Sequence, residues 1–250
     1  MLRLFQRQTP VEASHFDIAH DGETYRIALK RVAASRRFTL RVRTATRDVV
    51  LTMPSRSSLK AAREFAERHA AWIGTRLARL PEPVAFEPRA VTPIRGVDHR
   101  IVHRPGERGG AWLERSERGP IICVSGAREH VARRVADFLK REARKDLEAA
   151  VARHSRQIGV KPRRIVVRDT VSRWGSCSST GGLNFSWRLI LAPPFVLDYL
   201  AAHEVAHIVH MNHSPLFWKL ARRLHPGADR AEVWLKVHGP DLHRFGATWE

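Results

Sequence analysis

The sequence is short of cysteine and of long apolar runs. Its 250 residues include only two cysteines, Cys123 and Cys177, which excludes a disulfide framework and favours a reducing compartment. No stretch approaches the ~20 apolar residues that span a bilayer. The opening MLRLFQRQTP carries arginines without an apolar core, so we expect no signal peptide. These absences predict a cytoplasmic protein with no membrane partner.

Acidic residues are also scarce, since 25 Asp and Glu face 44 Lys and Arg, for a net charge of +19. The excess is local: residues 127–168 hold 13 basic and five acidic residues, whereas residues 193–250 hold six of each. A basic surface over 127–168 indicates an anionic partner, with nucleic acid as the first candidate. A solvated, arginine-rich surface without a partner is the competing interpretation.

Hydrophobic periodicity predicts an α+β fold. Alternating segments predict a three-stranded meander at residues 25–32, 36–43 and 48–53. A helix capped by Ser57 or Ser58 and ended by Pro81 should follow, and then short strands near 100–103, 111–113 and 121–124. We therefore expect a strand-rich N-terminal module with one helix, residues 1–126, packed on a C-terminal catalytic domain, residues 127–250.

The C-terminal domain should begin with a long helix over about 127–157 that has one apolar and one basic face. A short strand at 165–167, a loop at 172–182 and a strand at 183–191 come next. Pro193-Pro194 is typical of a helix start. This last helix carries the most distinctive residues of the chain.

Four histidines and a glutamate fall between residues 203 and 213. His203 and His207 lie one helical turn apart, so both imidazoles can reach one ion, and Glu204 lies ~100° around the helix beside it. This HExxH spacing is typical of zinc hydrolases, in which the carboxylate takes a proton from water. The apolar flanks predict a buried helix, where these polar groups would be costly without a metal.

Spacing alone does not identify the third ligand. His210 is seven residues from His203, roughly 10 Å along the axis, too far for one straight helix to serve one ion. His213 falls in a turn, because Asn212 tolerates the left-handed conformation and Ser214-Pro215 is typical of a helix start. We favour His213, with Glu232 as the main rival, and expect His210 to support or pack against the site. The spacing of the three histidines equals that of metzincins, but no methionine follows Met211 to form their methionine turn.

The segment RWGSCSSTGGLNFSWRLILAPPFVLDYLAAHEVAHIVHMNHSPLFW resembles the YgjP-like metal-dependent hydrolases, relatives of SprT-like zinc metallopeptidases. The hallmarks occur in order as R-W-G-S-C at 173–177, L-N at 183–184, H-E-x-x-H at 203–207, N-H-S at 212–214 and an aromatic pair at 217–218. The resemblance implies a zincin-like catalytic domain, with Zn²⁺ on His203, His207 and His213 and with Glu204 as catalytic base.

A peptide or protein substrate follows from that reading. We expect Arg173, Trp174, Ser176 and Asn184 to line the substrate side, with the strand at 183–187 offering an edge to an extended peptide. Arg173 would stabilise an oxyanion or a substrate carboxylate. Cys177 is not required as a nucleophile in a zinc enzyme.

Two other functions stay open. A metal-dependent nucleotide phosphohydrolase would suit the basic surface, but the chain has no glycine-rich phosphate loop and no carboxylate cluster for magnesium. A nucleic-acid-binding protein with a structural zinc leaves Glu204 without a role, and three histidines would leave one zinc position open. Zinc-dependent peptide hydrolysis is therefore the preferred function.

Overall fold

The structure is a computed structural model that describes residues 14–43, 46–170 and 173–246. The start of the chain and Ser172 of the predicted loop lie outside these ranges. The chain divides into two compact units, Met1–Leu80 and Pro81–Glu250. This boundary precedes the one expected at residue 126, and the earlier division into module and catalytic domain stays a prediction. Each unit is described by itself.

The first unit is a four-stranded sheet with two helices, namely β1 (His15–His20), β2 (Glu23–Val32), β3 (Thr39–Val42), β4 (Val49–Pro54), α1 (Leu59–Arg68) and α2 (Ala70–Ala78). The strand order is β1-β2-β4-β3, and β2 pairs with β4 in parallel. The predicted meander is therefore wrong in its pairing, because β4 inserts between β2 and β3. The strand β1, which was not among the predicted strands, buries Phe16 and Ile18 in the core of this unit.

The predicted single helix before Pro81 is broken at His69. Ser58 caps α1 as expected, because its Oγ accepts a hydrogen bond of 3.1 Å from the amide of Ala61. At His69 the backbone leaves helical geometry (φ −109°, ψ 11°), and the ring Nδ1 lies 2.8 Å from the carbonyl oxygen of Phe65. Periodicity alone could not reveal this break, since the apolar positions continue across it.

The second unit begins with a four-stranded sheet of β5 (Val91–Ile94), β6 (Val97–Arg104), β7 (Ala111–Ser116) and β8 (Gly119–Ser125), ordered β5-β6-β8-β7. The helix α3 (Val131–Ile158) follows a short 3₁₀ turn and packs on this sheet through Val131, Val135 and Leu139. Three of these strands and the long helix were predicted, and β5 was not. These strands belong to one core with α3, which is why the second unit starts before residue 127.

A three-stranded sheet and three helices complete this unit: β9 (Arg164–Arg168), β10 (Gly175–Cys177), β11 (Gly182–Ser186), α4 (Pro194–Val209), α5 (Pro215–Leu224) and α6 (Ala228–Leu242). The sheet order is β10-β11-β9, with β10 antiparallel and β9 parallel to β11. The predicted loop at 172–182 thus contains β10. The predicted strand at 183–191 ends at Ser186 and continues as a 3₁₀ helix, Trp187–Leu191.

Buried Arg188 explains why that strand ends early. Its guanidinium donates to the carbonyl oxygens of Leu242 and Phe245 at 3.1 and 2.6 Å, and to the carboxylate of Asp169 at 2.9 Å. A strand would alternate its side chains between the two faces of the sheet. The 3₁₀ turn instead directs Arg188 to the end of α6.

Within the described ranges, no helix combines the length and the apolar character needed to cross a bilayer.

Candidate metal centre

The helix α4 carries two of the four clustered histidines through the middle of a core. Pro194 occupies its first turn, and the helix ends at Val209. Ten of its sixteen residues are buried, including Leu200, Val205 and Ala206. His203 and His207 follow one another on one face, with ring centroids 4.9 Å apart. The burial and the spacing expected for this helix are confirmed.

His213 reaches the same point from the turn after α4. Ser214 caps α5, since its Oγ accepts a hydrogen bond from the amide of Phe217, and Pro215 occupies the first turn. Nε2 of His213 lies 3.2 Å from Nε2 of His203, and the ring centroids of His213 and His207 are 4.7 Å apart. The three histidines can hold a metal ion, because one nitrogen from each lies within 4.8 Å of the others.

His210 contacts the histidine cluster through its backbone. α4 stops just before it, and His210 is extended (φ −129°, ψ 100°). Its carbonyl oxygen lies 3.0 Å from Nδ1 of His207. Asn212 is not one of the described residues with positive φ, so the left-handed conformation expected there is wrong. The chain leaves the helix through the extended His210 instead.

Both helical histidines have a partner on Nδ1, which leaves Nε2 for an ion. The carbonyl of His210 holds His207, and the hydroxyl of Tyr199 lies 3.3 Å from Nδ1 of His203. The carbonyl oxygen of His210 can only accept, so it favours the tautomer of His207 with the proton on Nδ1, as the partners of histidine ligands do. The hydroxyl of Tyr199 can donate or accept, so it restrains the orientation of the His203 ring. Tyr199, one turn before His203, was missed from sequence. The signal available in the sequence was its position four residues before His203, which places both side chains on one face of a helix.

Aromatic rings enclose the three imidazoles. The ring centroid of Phe217 lies 4.9, 4.3 and 4.8 Å from those of His203, His207 and His213. Trp218 stacks on His213 with centroids 5.6 Å apart. These contacts restrict the rings and lower the local polarity. The sequence indicated the aromatic pair only through resemblance.

The electrostatics of this helix favour neutral imidazoles. Burial, together with the neighbouring His207 and His213, lowers the pKa of His203 to about 4. Burial also lowers the pKa of His207. Neutral imidazole is the form that binds a metal ion. Burial therefore favours the metal-binding form of His203 and His207.

Glu204 is buried beside the histidines, with 4% of its surface exposed. Burial raises its pKa to about 8, and the opposing field of Arg173 lowers it. A cation held by the neighbouring histidines would lower the pKa further and favour the carboxylate.

Gly175 of β10 makes room for this carboxylate. A Cβ atom added at Gly175 would lie 2.8 Å from Cγ and 2.9 Å from Cδ of Glu204, closer than real contacts of this kind. The glycine of the RWGSC segment is therefore required by a close approach between β10 and α4. The sequence contained this glycine, but only the fold shows what it touches.

Replacing Gly175 by alanine is expected to displace Glu204 while leaving the histidines in place. Because the resemblance implies that Glu204 is the catalytic base, we expect activity to fall at least ~10-fold with metal content unchanged, since small misplacements of reacting groups are costly. Gly182→Ala is the control, since its Cβ would meet only flexible Ser178 and Arg164 side chains. Metal analysis and peptide hydrolysis rates test this, and equal rates for both variants would contradict it.

The four residues predicted to line the substrate side do not form a single cluster. Ser176 and Asn184 face each other across β10 and β11, where Asn184 Nδ2 donates to Ser176 Oγ at 3.5 Å. The Trp174 ring packs on His243, with centroids 5.0 Å apart, and against Gly239. Arg173 is exposed and acts on Glu204 through its charge. Their part in substrate binding stays a prediction.

The strand expected to offer a free edge was misplaced. The segment 183–187 overlaps β11, which is the central strand, with β10 and β9 on its two sides. Its backbone groups are already paired, so an added peptide cannot bind there. The strand at the edge next to α4 is β10. Sequence could not show this, because β10 is only three residues long and lies among turn residues.

A buried helix with two histidines, a third histidine from the following turn and an adjacent buried carboxylate, set against a small sheet in an α+β unit, fits a metallopeptidase domain. The family described as YgjP-like, metallopeptidase domain, matches residues 36–238. The chain therefore belongs to the YgjP-like family, as the resemblance predicted.

Other comparisons add one solved structure. The crystal structure of the metallopeptidase zymogen of Pyrococcus abyssi abylysin shares 18% identity with this chain, and the match covers 37% of this chain and 95% of that one, with a TM-score of 0.33. No curated protein matches the sequence.

Proposed function

We propose that this protein is a zinc-dependent peptidase that hydrolyses peptide bonds at the centre formed by His203, His207 and His213. The observation that carries the proposal is the convergence of three imidazole nitrogens within 4.8 Å beside a buried glutamate. A structural zinc site is usually closed by four protein ligands. Three histidines leave one position open, which suits catalysis.

The donor set fits zinc. Two nitrogens bound to one tetrahedral zinc, each ~2.0–2.1 Å from the ion, are roughly 3.3 Å apart. The Nε2 atoms of His203 and His213 are 3.2 Å apart. Imidazole ligands and a tetrahedral arrangement are typical of zinc, whereas magnesium and calcium prefer oxygen ligands. Glu232, the rival ligand, is exposed on α6 and lies outside this group.

The proposed mechanism assigns proton transfer to Glu204. When bound, zinc supplies Lewis acidity, which acidifies water and polarises a substrate carbonyl. Glu204 accepts a proton on its carboxylate from the attacking water and returns it to the nitrogen of the leaving amine. The close contact with Gly175 holds the carboxylate in one place, and burial keeps bulk water away.

The substrate is proposed to be an extended peptide beside β10. This strand pairs with β11 on one side and forms the edge of its sheet. An added peptide strand gains main-chain hydrogen bonds irrespective of its sequence. Because Gly175 in β10 contacts Glu204, a peptide on this edge would pass close to the carboxylate.

Removal of the metal tests the proposal directly. We expect the purified protein to contain about one zinc per chain and to cleave members of a mixed peptide library, as read by mass spectrometry. A chelator should abolish cleavage, and added zinc should restore it. Cleavage that survives complete loss of zinc would refute the peptidase mechanism, and zinc-dependent turnover of nucleoside triphosphates alone would favour the phosphohydrolase.

Nucleic acid binding is a second candidate function, favoured by exposed basic residues along α3. Arg133, Lys140 and Arg144 recur on one face, with Arg141 beside them, and all four are exposed. Arg134 is not part of this basic face, because its guanidinium donates to the carbonyl oxygen of Ser125 at 2.6 Å. Contacts from such a face would go mainly to phosphates.

Reversing the four exposed charges on α3 to Glu is expected to weaken DNA binding at least ~10-fold and to reduce its salt dependence. Metal content should not change. The control reverses four exposed basic residues of the first unit for the same net charge: Lys60, Arg68, Arg76 and Arg79. Titrations of labelled single- and double-stranded DNA at two salt concentrations provide the measurement. Absence of binding by the unaltered protein at low salt would reduce the charge excess to a solvated surface.

A further inference from the structure

An apolar groove lies beside the metal centre on the outer surface of α5. Val209, Leu216 and Leu220 line it together with Ile158 from the end of α3, and its volume is about 640 Å³. Leu216 is 63% exposed and Val209 48% exposed, and Met211 between them in sequence is 52% exposed. A cluster of exposed large apolar residues indicates an interaction surface.

The rim of this groove is basic. Lys219, Arg222 and Arg223 line it, and within the described part of the chain no acidic side chain does. Arg222 is paired with Asp229 at 3.1 Å. Lys219 and Arg223 form no ion pair with any described acidic residue, so both charges are available to a ligand.

The groove and the metal centre share one segment of chain. Residues 209–216 place Val209 and Leu216 on the groove, and they place His213 at the ion site. His210 belongs to both, because it lines the groove while its carbonyl oxygen contacts the ligand His207. A chain held in the groove would therefore lie close to the catalytic centre.

The shape and the charge of the groove favour one kind of ligand over the others. The exposed walls cannot enclose most of a small molecule, as ligand pockets do. A second copy of this chain paired symmetrically at the groove would bring the same basic rim against itself, which is repulsive. Nucleic acid phosphates would gain nothing from the exposed leucine and valine at the centre. A ligand with an apolar side chain flanked by carboxylates would match both the apolar residues of the groove and its basic rim.

We propose that this groove binds an acidic peptide segment with apolar anchor residues, and that it serves as a second contact for protein substrates away from the cleaved bond. The apolar anchor would cover Val209 and Leu216, and flanking carboxylates would pair with Lys219 and Arg223. The proposal rests on the proposed peptidase function for its purpose, but the binding itself does not require hydrolysis.

Binding is measured by fluorescence anisotropy with a labelled peptide that has two leucines flanked by glutamates. The Glu204→Gln protein is used so that the probe is not cleaved. The double variant Leu216→Ser/Lys219→Glu should bind at least tenfold more weakly. Probe peptides with serine for leucine, or with glutamine for glutamate, should also bind at least tenfold more weakly, and binding should fall with salt.

The chain offers a matched control on α6. Val233 is 62% exposed and, like Leu216, lies three residues before an exposed lysine, Lys236. Val233→Ser/Lys236→Glu changes net charge and apolar surface in the same way and should bind as tightly as the parent. Equal weakening by both double variants, or no binding by the parent, would overturn the proposal.

Two further measurements separate this proposal from its alternatives. In the active protein, a substrate extended by the acidic segment should be cleaved with a higher kcat/KM than the short substrate, and Leu216→Ser/Lys219→Glu should remove only that advantage. Probe binding without any peptide hydrolysis would count against the proposed function and leave the groove supported. A dimer in sedimentation that Leu216→Ser/Lys219→Glu dissociates would assign the groove to self-association and refute the proposal.

Discussion

Replacing Glu204 by glutamine is expected to lower kcat/KM for peptide hydrolysis at least ~100-fold, the usual scale for loss of general acid–base assistance. Glutamine keeps the size of the side chain, which matters because Glu204 is buried against Gly175. Glutamine cannot accept a proton from water, so the chemical step loses its base. The three histidines are unchanged, and zinc should remain bound.

The Glu204→Gln experiment has a matched control in Glu232→Gln. Glu232 is exposed on α6 and lies outside the group of three histidines, so the same change there removes a carboxylate but leaves all three nitrogens in place. Metal analysis of both variants should give the same zinc content as the unaltered protein, and only Glu204→Gln should lose activity. Peptide turnover that persists in Glu204→Gln would contradict the mechanism. Loss of zinc in Glu232→Gln would revive Glu232 as a ligand.

Replacing His213 by alanine is expected to remove both the metal and the activity. His213 supplies one of the three nitrogens that converge within 4.8 Å. Its loss should weaken zinc binding by more than the ~10–100-fold that follows from changing only the partners of ligands. Since His213 is exposed and lies in a turn, the fold should tolerate the change.

His210→Ala is the natural comparison because it lies in the same cluster. Its contact with Nδ1 of His207 comes from the backbone carbonyl, which alanine retains. We therefore expect His210→Ala to keep most of its zinc, by elemental analysis, while His213→Ala contains little. The reverse pattern would show that the helix geometry has been misread. Circular dichroism of both variants distinguishes metal loss from unfolding.

Local patterns predicted the elements that have strong local causes. The spacing of apolar residues gave α3 and α4, and Ser58 and Ser214 correctly predicted helix starts because their hydroxyls bond to backbone amides three residues on. The rise of an α-helix predicted that His210 does not join His203 and His207 at one ion, and His210 lies outside the group of three converging histidines. These features depend on residues close in sequence, so sequence suffices for them.

Pairing between strands was harder to predict. The meander was wrong because the strand that pairs with β2 is β4, although β3 comes between them in sequence. The free sheet edge was assigned to 183–187 instead of β10. Each strand has the same alternation whichever neighbour it takes, so periodicity carries no information on order. The short β10 has too few residues to show a period at all.

The sequence by itself determined which groups are available at the proposed metal centre: the types of donor, their helical spacing and the carboxylate next to them. Tertiary structure decided which groups contact them, namely Tyr199 on His203, the carbonyl of His210 on His207, and Gly175 against Glu204. It also decided that Leu216 and Val209 remain on the surface beside Lys219. The reason is physical: donor type and helical spacing are local properties, whereas burial and close approach arise only when distant segments pack together.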